Sequence, residues 1–495
     1  MTFDVTSLGS DTQLVAPILV LLFSGLVLML LDAFRQYKAL PWVAAIGVVI
    51  AAAVSFQQIQ LGNLTAFSGM IKVGGIAAMV QVFLAVTALG TLFFIQDYLG
   101  RKELPLYDVY ALILFALIGM ILFANANDLI MTFIGLETMS ICLYIFAAFF
   151  KRDVKSNESG LKYFLLGAFA SAFLLFGISL IYGISGTTNF QRLSESIYLF
   201  QENELLFLTG ATLVLVGYLF KVAAFPFHNW TPDVYIGTPT PLSGFMATGG
   251  KMAAFVALGH FLLEVNLIRY DNGDLIQYDK MVTLLAIIAV ITMIYGNIVA
   301  ARQTNIKRML AYSSIAHAGY VLLGLCAGET GFIAAIFYMF IYSLMNIGAF
   351  GVVGMAETSF ADTEIESWRG LGLKHPMLAG VFSVFLFSLA GIPPLAGFMS
   401  KYYIFISALR AELVFLAVIG ILSSVIGAYY YIRLIAVMFS EGKSTSKLSP
   451  STARLPVIGA AVLVLLILLL GIFPSMVLEP INQAVAGLNE LSVIP

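Results

Sequence analysis

Long apolar runs alternate with short polar breaks from one end of the chain to the other, and this pattern sets the expected architecture. A run of about 20 apolar residues can cross a hydrocarbon layer about 30 Å thick as a helix that satisfies its own backbone hydrogen bonds. Fourteen such spans are predicted, numbered 1 to 14 in chain order: 15–33, 39–57, 75–96, 108–124, 127–150, 161–184, 203–228, 238–263, 281–300, 309–326, 330–357, 377–401, 412–438 and 455–473. The expected fold is therefore all-α, a polytopic membrane protein of about 14 transmembrane helices. Span 1 follows a start carrying Asp4 and Asp11 and lacks a basic leading region, so it reads as a retained helix and not a signal peptide. No stretch of disordered composition divides the spans, and residues 1–495 read as one integral membrane domain. The polar stretch 358–376, with Asp362, Glu364, Glu366, Trp368 and Arg369, is expected to form a short surface helix.

Composition narrows the functions open to such a bundle. Hydrophobic residues make up 60% of the chain and charged residues 11%, against roughly 45–50% and about 25% in soluble domains. Cys142 and Cys326 sit inside separate apolar spans with no second cysteine or histidine at ligand spacing, so neither a disulfide framework nor a metal site is expected. A formal charge of −2 argues against nucleic acid as a partner, and no Gly-rich phosphate loop follows a strand. Transport is the chemistry that remains, with the lipid bilayer as solvent.

The charges that lie between spans orient the chain. With the N-terminus outside, the odd-numbered loops hold sixteen Lys and Arg, including Lys151, Arg152, Lys155, Lys162, Arg302, Lys307, Arg308, Lys443 and Lys447. The even-numbered loops hold five: Lys72, Arg192, Arg269, Lys280 and Arg410. Basic residues favour the cytoplasmic side, so both termini and the loop with Asp271 and Asp274 are expected on the outer side, the membrane being a bacterial plasma membrane.

Four cations are left inside spans: Lys221, Lys251, Lys401 and Arg433. A central lysine costs about 2.5–3.5 kcal/mol to insert, so such residues usually face a bundle interior or a hydrated path. Glu137 is the one acidic residue near the middle of any span, and it is the natural partner for Lys221. A structural ion pair is the plain alternative for these two. Lys401 and Arg433 lie near predicted span ends, where snorkelling to the interface competes with a buried role. Helix breakers accompany the lysines: Pro226 after Lys221, Gly249 and Gly250 before Lys251, and the run Gly391 to Gly397 with Pro393 and Pro394 before Lys401. A mid-helix proline removes a hydrogen bond and frees carbonyls, and broken helices in transporters often mark the ion site.

Polar stripes offer connections between these positions. Ser313, His317 and Tyr320 share one face of span 10, and Tyr338, Tyr342 and Asn346 one face of span 11. His317 can titrate near neutrality and suits a proton relay, although a lone buried histidine is as often a satisfied hydrogen-bonding group. His228, seven positions after Lys221, is expected on the same face and is a candidate gate. His260 and the run Tyr429, Tyr430, Tyr431 read as packing or interface residues. A faint echo joins Pro241-Leu242-Ser243-Gly244-Phe245-Met246 to Pro394-Leu395-Ala396-Gly397-Phe398-Met399.

Three segments carry a resemblance. Leu219 to Tyr235, containing Phe-Lys221-Val-Ala-Ala-Phe-Pro-Phe-His-Asn-Trp-Thr-Pro-Asp-Val-Tyr, Ile306 to His317, and Ser388 to Phe398 resemble the antiporter-like membrane subunits of respiratory complex I, the NADH-quinone oxidoreductase. The Trp-Thr-Pro-Asp-Val-Tyr wording is similar to the N-type branch of that family. The resemblance implies two inverted five-helix repeats, approximately 108–263 and 281–438, with spans 7 and 12 broken. It implies proton translocation through Glu137, Lys221, Lys251, Lys401 and His317. It also implies other membrane subunits of the complex as partners and no cofactor in this chain, with NADH, FMN, iron–sulfur clusters and quinone belonging to partner subunits. After Tyr235 the chain departs from the family, reading Ile236-Gly237-Thr238 where an acidic or amide residue is usual.

The mechanism expected from this is electrostatic. Changing the Glu137 to Lys221 pairing alters the lysine's hold on its proton, and charge then moves by way of Lys251 and His317 toward Lys401. The rival readings are a subunit of a multi-subunit cation/proton antiporter and an inert membrane scaffold.

Overall fold

In hydrocarbon a backbone amide has no water to bond, so each apolar run closes its hydrogen bonds within itself and becomes a helix. The computed structural model describes residues 8–102, 108–271, 274–277, 279–360, 363–441 and 454–490. Asp4, Asp362, Lys443 and Lys447 lie outside these residues. Each of the fourteen predicted spans contains a helix: Ala16–Ala33, Leu40–Gln58, Gly75–Arg101, Val109–Ala124, Leu129–Ala147, Val154–Ser185, Glu204–Val222, Thr240–Glu264, Asp279–Ala301, Ile306–Leu325, Gly328–Phe360, Pro376–Ala390, Val414–Phe439 and Arg454–Ile472. Spans 7 and 12 continue past a break as Trp230–Gly237 and Ala396–Arg410. Among the described residues, eleven helices are by themselves long and apolar enough to cross a membrane. The exceptions are spans 4 and 12, whose helices are shorter, and span 10, which carries Ser313, Ser314, His317 and Tyr320.

Spans 8 and 11 form the centre, with 94% of each apolar window buried, while spans 1, 2, 6, 9, 13 and 14 present one face outward. Neighbours in sequence pack as tight pairs where small residues let backbones meet. A Cβ on Gly119 of span 4 would fall 2.3 Å from the Met139 nitrogen, and one on Gly135 of span 5 would fall 2.3 Å from the Phe123 nitrogen. The helix pair therefore depends on both glycines.

The loops sort by parity, as the alternation requires. On the even-numbered side the Lys72 amide donates to Asn125 O at 2.8 Å, Thr188 Oγ1 to Asp128 at 2.7 Å and Lys280 Nζ to Glu204 at 2.9 Å. On the odd-numbered side Asp233 pairs with Lys162 at 2.7 Å and with Arg308 at 3.1 Å, and Arg369 donates to Ser440 at 3.1 Å.

Three features differ from the expectation. The stretch 358–376 is not a surface helix: it holds a 3₁₀ turn, Ile365–Trp368, and one short turn, Leu371–Lys374. Trp368 is fully buried because its ring packs on Phe382, with centroids 5.3 Å apart. An antiparallel hairpin pairs Leu64–Ala66 with Ile71–Val73. Finally, the chain carries a further helix, Ser475–Glu490, beyond span 14.

The hairpin brings in a cation that its sequence position disguises. Lys72 is not a solvated loop residue but is buried, ion-paired to Glu264 and 3.0 Å from His260 Nδ1. His260 Nδ1 also lies 2.8 Å from the same Glu264 oxygen. His260 is thus a member of an ionic cluster and not a packing residue: one helical turn sets it beside Glu264. The cluster staples the hairpin to the end of span 8. Lys72→Met removes a cation from a largely buried pair, and a loss of roughly 1–3 kcal/mol is expected once the partial exposure of Glu264 is allowed for. Thermal unfolding of the detergent-solubilised protein checks this, Lys280→Met at an exposed pair being the control expected to melt like the parent.

Candidate functional site

Two helix breaks build the site. Span 7 stops at Val222 because Pro226 disfavours helix in the residue before it, and Ala223 turns into the left-handed region with φ 61°. The groups freed there are satisfied by the protein: Trp230 Nε1 donates to Phe220 O at 3.0 Å, and the Phe225 amide donates to Thr292 Oγ1 at 3.0 Å. Span 12 stops at Ala390, where Gly391 takes φ 85°. Its freed carbonyl, Ala390 O, accepts from Lys401 Nζ at 2.9 Å. The ammonium therefore caps a helix C-terminus, where the helix dipole favours a cation.

Lys401 is buried, and its remaining contacts are Ser424 Oγ at 3.0 Å and the Tyr320 ring, 5.5 Å from Nζ. It does not snorkel. Arg433 is half-buried and donates to Ala301 O at 3.2 Å, capping span 9.

Lys221 is buried in span 7 and points at span 5 and span 6. Its Nζ donates to Ser140 Oγ at 2.7 Å and to Tyr163 OH at 3.2 Å, and it lies 5.2 Å and 5.7 Å from the Tyr163 and Tyr144 ring centroids. Glu137 is one helical turn from Ser140 but does not touch the lysine. Its carboxylate accepts instead from Ser171 Oγ of span 6. The partnership expected from sequence is thus not a direct contact. Leu136, Ser140, Ser171 and Lys221 line one crevice, too narrow for a water molecule in this conformation.

Lys251 follows a π-helical turn, Met246–Gly250, which rotates the rest of span 8 without breaking it. Its ammonium donates to Ser314 Oγ at 2.7 Å and to Ser314 O at 3.0 Å. The neighbouring Ser313 contacts Tyr431 OH, which lies 3.2 Å from His317 Nε2, and His317 Nδ1 is 2.6 Å from Tyr338 OH. Both nitrogens of His317 are therefore engaged by hydroxyls. Asn297 of span 9 connects a further set: it donates to Tyr320 OH and Ser423 Oγ, each at 2.9 Å, and accepts from Tyr430 OH at 3.1 Å.

The expectation that His228 shares a face with Lys221 fails. The helix ends before reaching it, so it shares no face with Lys221. Its ring stacks on Phe225 at 5.5 Å and meets the edge of Tyr295 at 4.6 Å, with neither nitrogen bonded to another protein group. The tyrosine run also needs correction. Tyr430 and Tyr431 are each 1% exposed and polar-bonded, whereas Tyr429 is 59% exposed on the outer surface of the bundle. Sequence reasoning missed Ser140, Ser171, Ser314, Ser424 and Asn297, for which the only signal was a polar residue in an apolar span. Among the described residues, no group of three or more His, Cys, Asp and Glu could hold a metal ion.

Comparison with known proteins adds to this geometry. Residues 126–427 match the profile of the NADH:quinone oxidoreductase/Mrp antiporter transmembrane family. NADH-quinone oxidoreductase subunit N of Salinibacter ruber is 42% identical over 422 residues, covering 84% of this chain and 83% of that protein. The subunit N of Trichlorobacter lovleyi is 41% identical over 492 residues, covering 96% and 97%. A chain of respiratory complex I from Thermus thermophilus superposes with a TM-score of 0.78 at 32% identity, covering 94% of this chain and 98% of that one. A chain of the Mrp complex from Dietzia sp. shares the fold, with a TM-score of 0.82 at 19% identity over 97% of each chain.

The break in span 12 makes a specific demand. At Gly391 the backbone is left-handed, and an added Cβ would lie 3.0 Å from Lys401 Cδ and 3.2 Å from its Nζ. Gly391→Ala is expected to cost roughly 1–2 kcal/mol from backbone strain alone and to lower the melting temperature by a few degrees. Gly380→Ala, at a position with open space around it, is the control expected to leave the melt unchanged.

Proposed function

Because the chain belongs to the NADH-quinone oxidoreductase subunit N family, an antiporter-like family of membrane proteins, we propose that it translocates protons across a membrane as a subunit of that complex. The single observation that carries the reading is the placement of three lysines, Lys221, Lys251 and Lys401, each buried on a different span and bonded to hydroxyls or carbonyls, without a direct carboxylate partner among the described residues. An inert bundle would gain by replacing such residues with apolar ones, since buried ions cost more than packed hydrocarbon. A proton carrier needs amines that are stable in both charged and neutral forms.

The proton's movement in this reading is a relay of N–H and O–H bonds. A carboxylate that approaches a buried ammonium favours the protonated amine, and its withdrawal favours release. Glu137 would exert this control on Lys221. Lys251 with Ser314, and His317 between Tyr338 and Tyr431, would carry charge along the centre, and Lys401 would release it. Two inverted five-helix repeats, 108–263 and 281–438, fit the five-span spacing of the breaks. Electron transfer would belong to partner subunits that bind NADH, FMN, iron–sulfur clusters and quinone. The antiporter reading has less support, because the relatives near 40% identity are subunit N proteins.

The release role of Lys401 predicts a sharp chemical distinction. Guanidinium hardly ever deprotonates, so Lys401→Arg in the assembled complex should lose proton pumping by at least about tenfold, as Lys401→Ala should. Full pumping by an assembled Lys401→Arg complex would remove Lys401 from the path.

The orientation belongs to the same proposal: a bacterial plasma membrane, with the even-numbered loops and both termini outside. A cysteine at exposed Gln191 should react with a membrane-impermeant maleimide in intact cells, and one at exposed Lys155 only in inverted vesicles. The buried Cys142 and Cys326 contribute no background. The reverse labelling pattern would invert the topology.

A further inference from the structure

A serine inside a membrane helix usually satisfies its hydroxyl by donating to a carbonyl one turn back. Ser140, Ser343 and Ser383 do so here, at 2.5, 2.8 and 2.7 Å from Leu136 O, Met339 O and Ala379 O. Ser171 does not. Its hydroxyl crosses from span 6 to span 5 and donates to the Glu137 carboxylate. That bond holds the acid at Ser171, while the Lys221 ammonium rests on Ser140 and Tyr163, with Ser140, Ser171 and Lys221 lining one crevice. Two partners thus compete for one carboxylate, a hydroxyl that has it and an ammonium that does not.

Small residues, Gly167, Ala170 and Gly217, line the crevice. A Cβ on Gly167, one turn before Ser171, would fall 2.0 Å from Tyr144 OH. Glycine there lets the tyrosine sit between the two helices beside Lys221. Glu137 is half-buried, and rotation about its side-chain bonds moves its carboxylate relative to Ser171.

We propose that Ser171 is a positioning residue that parks the Glu137 carboxylate away from Lys221, making the separated state of the acid and the amine a stable stage of proton transfer. The assignment rests on the proton-translocating reading above. With the hydroxyl present, Glu137 has a place to go when it leaves the ammonium. Without it, the separated carboxylate loses its hydrogen bond, and the closed pair with Lys221 is favoured. A hydrogen bond to a charged group shifts a two-state population by about tenfold or more.

The test uses membranes containing the assembled complex, its assembly checked by native gel. Ser171→Ala should lower proton pumping and the coupled quinone reduction by about three- to tenfold, and Ser171→Thr, which keeps the hydroxyl, should stay within about twofold of the parent. In a Glu137→Gln background, Ser171→Ala should cause no further loss, because a residue that acts only through Glu137 has nothing left to hold. Ser171→Cys, close in volume but a weaker donor, gives the reading if the alanine variant fails to assemble, with an intermediate loss expected. Pumping by Ser171→Ala, or by Ser171→Cys if the alanine variant does not assemble, within twofold of the parent overturns the proposal. So does an impairment that the threonine variant shares, or one that persists undiminished beside Glu137→Gln. If Glu137→Gln alone pumps normally, the role given to Glu137 falls, and the parking role falls with it. If Glu137→Gln is impaired while Ser171→Ala is not, only the parking role is lost.

Discussion

Hydrocarbon offers no hydrogen bonds, so every polar group that this chain places between its helices must find a partner within the protein or remain at a cost of several kcal/mol. The two breaks show how backbone groups meet it, while the buried His228 ring beyond the first break leaves both nitrogens without a protein partner. At span 7 an indole N–H joins the Ala223 amide on the Phe220 carbonyl, and a threonine on span 9 takes the freed Phe225 amide. At span 12 the freed Ala390 carbonyl is taken by the ammonium of Lys401. One break is closed by neutral donors and the other by the charge itself. Backbone repair and the placement of a buried amine are thus separate problems in span 7 but the same problem in span 12.

The same constraint explains which parts of the architecture could be seen in the sequence. Apolar runs and their polar interruptions are local, and so are Pro226, Gly391 and Pro393; the spans and both breaks followed from them. Contacts between spans are not local. Ser140 meets Lys221 across 81 positions, Ser314 meets Lys251 across 63, and Tyr431 meets His317 across 114. Nothing in the alternation of apolar and polar residues distinguishes a serine that bonds its own helix from one that bonds another's charge. The misplacement of His228 has a different cause. Counting seven positions from Lys221 assumed an unbroken helix, yet the proline that marked the break also ended the periodicity on which the count relied. For His260 the signal was present: an acid four positions on, at Glu264, marks a helical pair. The tyrosine run was legible too, since successive residues are about 100° apart on a helix and cannot all face the same way.

The central polar groups also differ in what they can do with a proton. A hydroxyl between two partners can donate to one and accept from the other, so Tyr431 between Ser313 and His317 can pass a proton either way. Asn297 cannot reverse. Its amide nitrogen must face Met293 O, an acceptor at 3.1 Å, which leaves its oxygen toward Tyr430 and its second N–H toward Tyr320 and Ser423. The network thus contains reversible members along spans 10, 11 and 13 and one fixed member on span 9 that sets the direction of two tyrosine hydroxyls.

Fixed and reversible groups together imply where control of the proton can reside. Lys251 and Lys401 are each held by short bonds to neutral groups, so the local energy of either cation changes only when its own proton or a neighbouring charge moves. Lys221 is different, because Glu137, a helical turn from the Ser140 that holds it, is bonded to a serine of another span and not to the ammonium. A displacement of a few ångströms by Glu137 alters the field at Lys221 by more than any rearrangement of hydroxyls could, since Coulomb energy in a low-dielectric interior falls steeply with distance. In the proposed reading the first break would be the place where a small motion of Glu137 is converted into a change of charge, and the central hydroxyls and the second break would transmit and receive it.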